Sequence, residues 1–490
     1  MEEKKIQTGP IQSETEKKEK VFTISEFRRE VGIPLVVAKK LIVWGEIRAE
    51  KALDGTIQIA ETEVLKIKEA LKNPRKKIFL FFRSLGPGLI TGVSDDDPSG
   101  IGTYSTVGAK FGLSILWTAV WLFPIMFAVQ EVCARIGIVT NKGLAKVLLK
   151  HYQRKIVLGI VLLLLVANVI NIGADLGAMA ASLKMIIGIN FYFGLAFFAL
   201  LIILTEIYFG YHIYVKILKW LTVSVLAYIV TGFIINPNWL DIFKEAFIPQ
   251  IKFSQEYVFA IIAIFGTSIT PYLFFWQASE EVEDGKMVFN SKLKKYSTHN
   301  RIGRMRTDVG TGMILANIVF FFIILVSAEV FFKNGITNIG SAEQAALALK
   351  PFGGQFAFLL FAFGIIGTGL LAVPVLAGSG AYALCEISNW KEGLELKFSK
   401  AKGFYLIIAI SIVVGMLLNF LKINPIMALY YAAFINGIIA IPLLVAIMIV
   451  GNDSKIMGRE THPIWVKIFG WFAIVFMIIM LFVAGFLYFK

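Results

Sequence analysis

The stretch Gly86-Pro87-Gly88-Leu89-Ile90-Thr91-Gly92-Val93-Ser94-Asp95-Asp96-Asp97-Pro98-Ser99-Gly100 places three consecutive acids, a proline and a glycine inside an apolar run that continues to Ala109. The flanks 86–94 and 101–109 are each too short to cross a bilayer alone, which weighs against a polar loop between two re-entrant pieces and for one interrupted span. Each Asp near the membrane centre costs roughly 2.5–3.5 kcal/mol, so three together cost up to about 10 kcal/mol without compensation. Proline adds carbonyls that have lost their helical donor. A bound cation answers both deficits.

A second interruption lies far downstream, at Gly266-Thr267-Ser268-Ile269-Thr270-Pro271-Tyr272. Around these two points the chain is uniformly apolar: of 490 residues 57% are hydrophobic, 17% are charged and 42 are Phe, which excludes a soluble enzyme. Eleven spans are expected, near 84–109, 113–136, 156–185, 193–213, 217–236, 256–280, 308–332, 354–385, 403–421, 424–450 and 464–489. The two interruptions then open the first and sixth spans. Broken helices at matching places in two halves of five spans mark an inverted-repeat transporter.

The net charge of +14 gathers in loops on one side, around Lys142–Lys155, Lys286–Arg306 and Lys391–Lys402. By the positive-inside rule the amino terminus is cytoplasmic and the carboxyl terminus extracytoplasmic, in a plasma or inner membrane. This use of the charge removes the main argument for a nucleic-acid partner. Cys133 and Cys385 read as buried hydrophobes, and His151 and His299 fall in basic loops, so neither a zinc nor a haem centre is expected.

Residues 1–20 have the composition of a disordered tail, 21–75 of a small soluble domain and 83–490 of the membrane domain. Thr23 and Glu26 have capping-box spacing, and Asp54-Gly55 reads as a hairpin turn. With the Trp44-Gly45 step, this segment resembles the winged helix-turn-helix of excisionase and MerR-type proteins. Only Lys39 and Lys40 are basic on its second helix, beside Val36, Val37, Leu41 and Ile42, so an interaction module fits better than DNA binding.

GPGLITGVSDDDPSG, then AKFG, LFPIMFAVQEVCARIGIVTNKGLA, the ADLG of the third span and SAEQAALALKPFGGQFAFLLFAFGIIG with LAGS of the eighth together resemble the NRAMP family of divalent-metal transporters. The resemblance implies an all-α, leucine-transporter-like inverted repeat of five plus five helices with an eleventh, and a midplane metal site. It implies no enzyme activity and no cofactor; the partners are divalent ions and the bilayer.

The family's Asp-Pro-Gly-Asn is here Asp97-Pro98-Ser99-Gly100, and its Met-Pro-His is Thr270-Pro271-Tyr272. The metal-binding Asp remains, while Gly100 stands at the amide ligand and the thioether and imidazole are gone. Such a hard, oxygen-only set suits Mg²⁺, then Mn²⁺, better than softer metals, and is similar to the NRAMP-related magnesium transporters. Asp97 is the expected direct ligand, with Thr270 and the Thr267 carbonyl as inner or outer contacts. Asp95, Asp96, Gln277 and Glu280 are expected to hold the water shell or line the path. Glu280, Glu281, Glu283 and Asp284 otherwise read as a solvated acidic helix end.

In the third span the family's acids follow a pattern like Asp-Leu-Ala-Glu; here Asp175-Leu176-Gly177-Ala178 keeps one acid, and Asn168 replaces an earlier Glu. Asn168, Asn171 and Asp175 share a helix face, and Glu131 with Arg135 reads as a structural pair or inner gate. A divalent ion gains about 4.6 kcal/mol per 100 mV, so uptake needs no proton. The expected function is Mg²⁺ import by alternating access without strict proton coupling. The alternatives are a proton-coupled Mn²⁺/Fe²⁺ symporter and a membrane-tethered metal-responsive regulator. An amino-acid transporter is disfavoured, because three Asp would repel a substrate carboxylate.

Overall fold

Strand β1 (Val21–Thr23) runs directly into helix α1 (Ile24–Val31) through the expected capping box. The Thr23 N–H donates to Glu26 Oε2 at 2.8 Å and the Glu26 N–H to Thr23 Oγ1 at 3.3 Å. Gly32, at φ 74°, ends α1 in the left-handed conformation. Strands β2 (Glu50–Lys51) and β3 (Ile57–Ala60) pair antiparallel, and β3 also pairs with β1, giving the order β1-β3-β2. Helix α2 (Glu61–Lys72) follows, and Phe22, Ile24, Phe27, Ile59, Val64 and Ile67 are buried.

The computed structural model describes residues 20–32, 38, 42, 47–52, 56–72, 85–209, 226–289, 298–339, 342–421 and 425–488, in two units, Met1–Leu85 and Gly86–Lys490. The 1–19 part of the tail, the Asp54-Gly55 turn, the linker 73–77 and the start of the fifth span lie outside the described residues. So does the second helix of the soluble domain, apart from Ala38 and Ile42, both helical.

In the second unit neither Pro98 nor Pro271 sits inside a helix; each opens one. The first span is α3 (Pro87–Ser94) followed by α4 (Pro98–Phe111). Next come α5 (Trp117–Thr140), α6 (Arg154–Ile187), α7 (Phe191–Tyr208) and α8 (Leu226–Ile234), the described part of the fifth span. The sixth span is α9 (Gln255–Ser268) followed by α10 (Pro271–Phe289). The chain ends with α11 (Thr298–Val330), α12 (Ala342–Ser388), α13 (Lys402–Leu418), α14 (Pro425–Asn452) and α15 (Ile464–Tyr488).

Among the described residues nine helical segments are long and apolar enough to cross a membrane, the sixth span counted across its break. The first span falls short because it is split into 8 and 14 residues, and the fifth because only its second part is described. Helix α11 starts ten residues before the expected 308, so Arg301, Arg304 and Arg306 lie on its first turns and not in a loop. Arg is a good helix former, and it lowers local hydropathy without ending the helix.

Both halves of the first span pack on α11. Gly88 and Gly92 face the α11 backbone at Val309 and Gly312, and Gly108 faces Ile324 and Ser327. On the other side α12 packs extensively on α6. There Gly369 meets Met179 and Pro98, Gly378 meets Trp276 and Gly380 meets Leu165, the close packing that small residues in the eighth span lead one to expect. Cys133 and Cys385 are free and buried.

Candidate metal site at the helix breaks

The first break is a turn with its own cap. The N–H groups of Asp95 and Asp96 donate back to Gly92 O and Val93 O, both at 3.2 Å. Asp97 then turns extended, at φ −65° and ψ 170°, as the N-cap of α4, and its Oδ1 accepts the Gly100 N–H at 2.6 Å. Pro98 takes the first helical position, where a missing N–H has no consequence. The freed carbonyls expected from prolines inside a helix therefore belong to the C-terminal ends of α3 and α9, both of which stop at the breaks.

Two hydroxyls tie the breaks together. Tyr272, next to Pro271, donates to Ser94 O at 2.8 Å, with Asp97 Oδ2 at 3.4 Å from the same hydroxyl. Tyr104 on α4 and Ser268 at the end of α9 are joined at 2.8 Å between their hydroxyl oxygens. Sequence reasoning assigned no role to Tyr272, Ser94, Tyr104 or Ser268. Only the position of Tyr272 beside Pro271 carried a signal.

The expected ligands Asp97, Asp96, Thr270, Thr267 and Gly100 are all buried at these breaks. Asp95 and Asp96 are each 1% exposed, and all four of their carboxylate oxygens, like Thr270 Oγ1, lack a hydrogen-bond partner. A Cβ at Gly100 would meet Asp95 O at 2.9 Å, so the backbone of the acidic turn occupies the space that a larger residue needs. Asp175 on α6 is fully buried, with neither oxygen hydrogen-bonded, and lies within electrostatic reach of Asp97. Asn168, on the same face, donates to Leu376 O at 2.9 Å and to Ser379 Oγ at 3.0 Å, an interhelical role.

Gln277 and Glu280 stand apart from the breaks. Along α10 they lie roughly 9 and 14 Å beyond Pro271, taking the helical rise per residue. Gln277 Nε2 donates to Glu281 Oε1 at 3.1 Å, and Tyr382 donates to Glu280 Oε1 at 3.3 Å. These residues do not join Asp97. Glu280, Glu281, Glu283 and Asp284 are buried, which corrects the reading of a solvated helix end. Beside them a cavity of about 230 Å³ is lined by residues including Lys142, Lys146, Ser279, Glu283, Tyr382 and Glu386. Nearby, Glu131 accepts hydrogen bonds from Arg135 and, at 2.9 Å, from Arg306 Nε.

Among the described residues no three His, Cys, Asp or Glu side chains converge as a metal-binding group. The donors gathered at the breaks are a carboxylate or two, a Thr hydroxyl and helix-end carbonyls. That set suits a hard cation which keeps part of its water shell.

Two broken helices, first in each half of five, with their breaks tied to each other, define a leucine-transporter-like inverted-repeat membrane protein. The chain belongs to the natural resistance-associated macrophage protein-like family, Nramp, whose model matches residues 88–486. It is 25% identical over 396 residues to the divalent metal cation transporter MntH of Klebsiella pneumoniae, covering 79% of this chain and 90% of the relative. The crystal structure of the Eremococcus coleocola manganese transporter with an aromatic bis-isothiourea compound aligns with a TM-score of 0.66 at 17% identity, over 81% of this chain and 84% of that one. Mhp1, a nucleobase-cation-symport-1 family transporter in a closed conformation, aligns with a TM-score of 0.55 at 14% identity, over 82% and 93%. At these identities the two structures establish the shared fold.

Proposed function

We propose that this chain, a divalent-metal transporter by family, imports Mg²⁺ in preference to Mn²⁺ by alternating access around Asp97 and Thr270. The observation that carries the reading is the donor chemistry: the side chains of Asp95, Asp96, Asp97 and Thr270, all buried at the two breaks, offer only oxygen. The unpartnered oxygens of Asp95, Asp96 and Thr270 are acceptors for the water that Mg²⁺ retains. The Asp95–Asp97 turn also places three carboxyl groups where the C-terminal ends of α3 and α9 add partial negative charge, which favours a cation and opposes an anionic substrate.

Strict proton coupling is not part of this reading. Asp175 lies near Asp97, but Ala178 offers no second acid one turn further on. The nearness of Asp175 to Asp97 is also what favours the second reading, a proton-coupled Mn²⁺ importer. The loop charges support a cytoplasmic amino terminus in a plasma or inner membrane. Residues 21–75 are proposed as an interaction module of winged helix-turn-helix type.

Uptake of Mg²⁺ and Mn²⁺ into proteoliposomes, with Asp97→Ala alongside, tests the reading. Mg²⁺ uptake that Asp97→Ala abolishes is the expected result. Mn²⁺ entry with no entry of or competition by Mg²⁺ defeats the hard-site argument, and lumenal acidification matching metal uptake one for one defeats uncoupled transport.

A further inference from the structure

Helix α3 is eight residues long, and the Asp95–Asp97 turn separates it from α4, so its position depends on what it touches. Its main neighbour is α11. Part of that contact is glycine against backbone: a Cβ at Gly88 would come 2.5 Å from Val309 N, and Gly92 faces Gly312. Such a surface permits close approach, and at the two glycines it offers no side chain to resist separation.

A second part is a carboxylate. Asp308, near the start of α11, is 7% exposed and accepts three backbone N–H groups from the head of α3: Gly86 at 2.7 Å and Leu89 at 3.3 Å on Oδ1, and Gly88 at 3.0 Å on Oδ2. Gly86, the N-cap, has no side chain with which to cap its own helix. Asp308 thus satisfies, from another helix, the orphan donors that a capping residue normally takes, and its charge faces the positive end of the α3 dipole.

From this geometry we infer that Asp308 is the positioning residue that holds α3 against α11, closing the inner side of the metal site and fixing the turn that carries Asp95, Asp96 and Asp97. The inference rests on the transporter reading and on the orientation drawn from the loop charges. It assigns to α11 control over which side of the membrane the site faces.

The test uses the full chain in proteoliposomes, with a thiol introduced by Thr91→Cys in the buried middle of α3 and a membrane-impermeant maleimide applied to the cytoplasmic face. Asp308→Ala is expected to raise labelling of that thiol at least about tenfold, about 1.4 kcal/mol in the closed-to-open balance. Asp308→Asn, which keeps the size and loses the charge, gives a smaller rise. A thiol introduced by Ser327→Cys, where α11 meets α4, stays protected in both. Unchanged labelling at Thr91→Cys, or an equal rise at both positions, overturns the inference. If Asp308→Ala does not fold, Asp308→Asn decides on the same criteria. Labelling needs no metal, so a failure of Mg²⁺ uptake with the expected labelling counts against the transport reading alone.

Discussion

Two regions of the membrane unit bury acids and treat them in opposite ways. At the breaks, Asp95, Asp96 and Asp175 have carboxylate oxygens with no hydrogen-bond partner. Toward the ends of α5 and α11, Glu131 accepts from Arg135 and Arg306, Arg135 reaches the Glu460 carbonyl at 3.3 Å, and Asp308 accepts three N–H groups. A charge buried with full partnership holds neighbouring elements together. A charge buried without it destabilises the empty protein and is retained where a mobile cation supplies the missing partner.

The contrast can be broken most directly at Glu131. Glu131→Ala leaves the buried Arg135 guanidinium without its main partner and is expected to destabilise by about 3–5 kcal/mol, read as a fall in unfolding temperature in detergent. A shift within error shows that the partnered region does not hold the fold.

The same region contains His462, outside the spans and 3% exposed, where burial pushes its pKa down to about 4. Its unfolded value is about 6.5, so between pH 6.5 and 4 the unfolded chain binds the extra proton and stability falls as pH falls. The loss at pH 5 relative to pH 7 is about 2 kcal/mol. His462→Gln flattens this part of the pH–stability curve, and a curve of the same slope in the variant removes His462 as its source.

At the breaks the sign reverses. Asp96→Asn removes an unpartnered buried acid and is expected to raise metal-free stability by about 1 kcal/mol while lowering Mg²⁺ uptake. Destabilisation instead shows that Asp96 has a structural partner and belongs with Glu131. Thr270→Met changes no charge, and its effect is on selectivity: uptake competition should shift about tenfold toward Mn²⁺ or Cd²⁺, since a thioether prefers softer ions. No shift places Thr270 outside the ligand set.

Much of this was legible because membrane spans, Asp-Pro steps and glycine runs are local signals. The apolar spans, the two breaks and the Thr23–Glu26 cap need only neighbouring residues to read. The ties across the site do not: Tyr272 reaches Ser94 over 178 positions, and Asp308 reaches Gly86 over 222. Nothing beside Asp308 marks it as a cap for another helix. The acids Glu280–Asp284 misled because a charged run resembles a solvated helix end, whereas these four are buried. The prolines misled in a smaller way, since a proline at the first position of a new helix and one inside an old helix look alike in a string of letters.

Asp97 is the cap of α4, and in the transport mechanism proposed above it is also the carboxylate offered to the metal. In that mechanism a cation draws on the same carboxylate whose Oδ1 holds the Gly100 N–H, so occupancy is felt at the start of α4. Asn caps a helix about as well as Asp but is a poorer partner for a divalent ion. In an Asp97→Asn chain the helix keeps its start and loses its information about the cargo. In the proposed mechanism the sensor and the hinge are one side chain, and no relay has to be built between them.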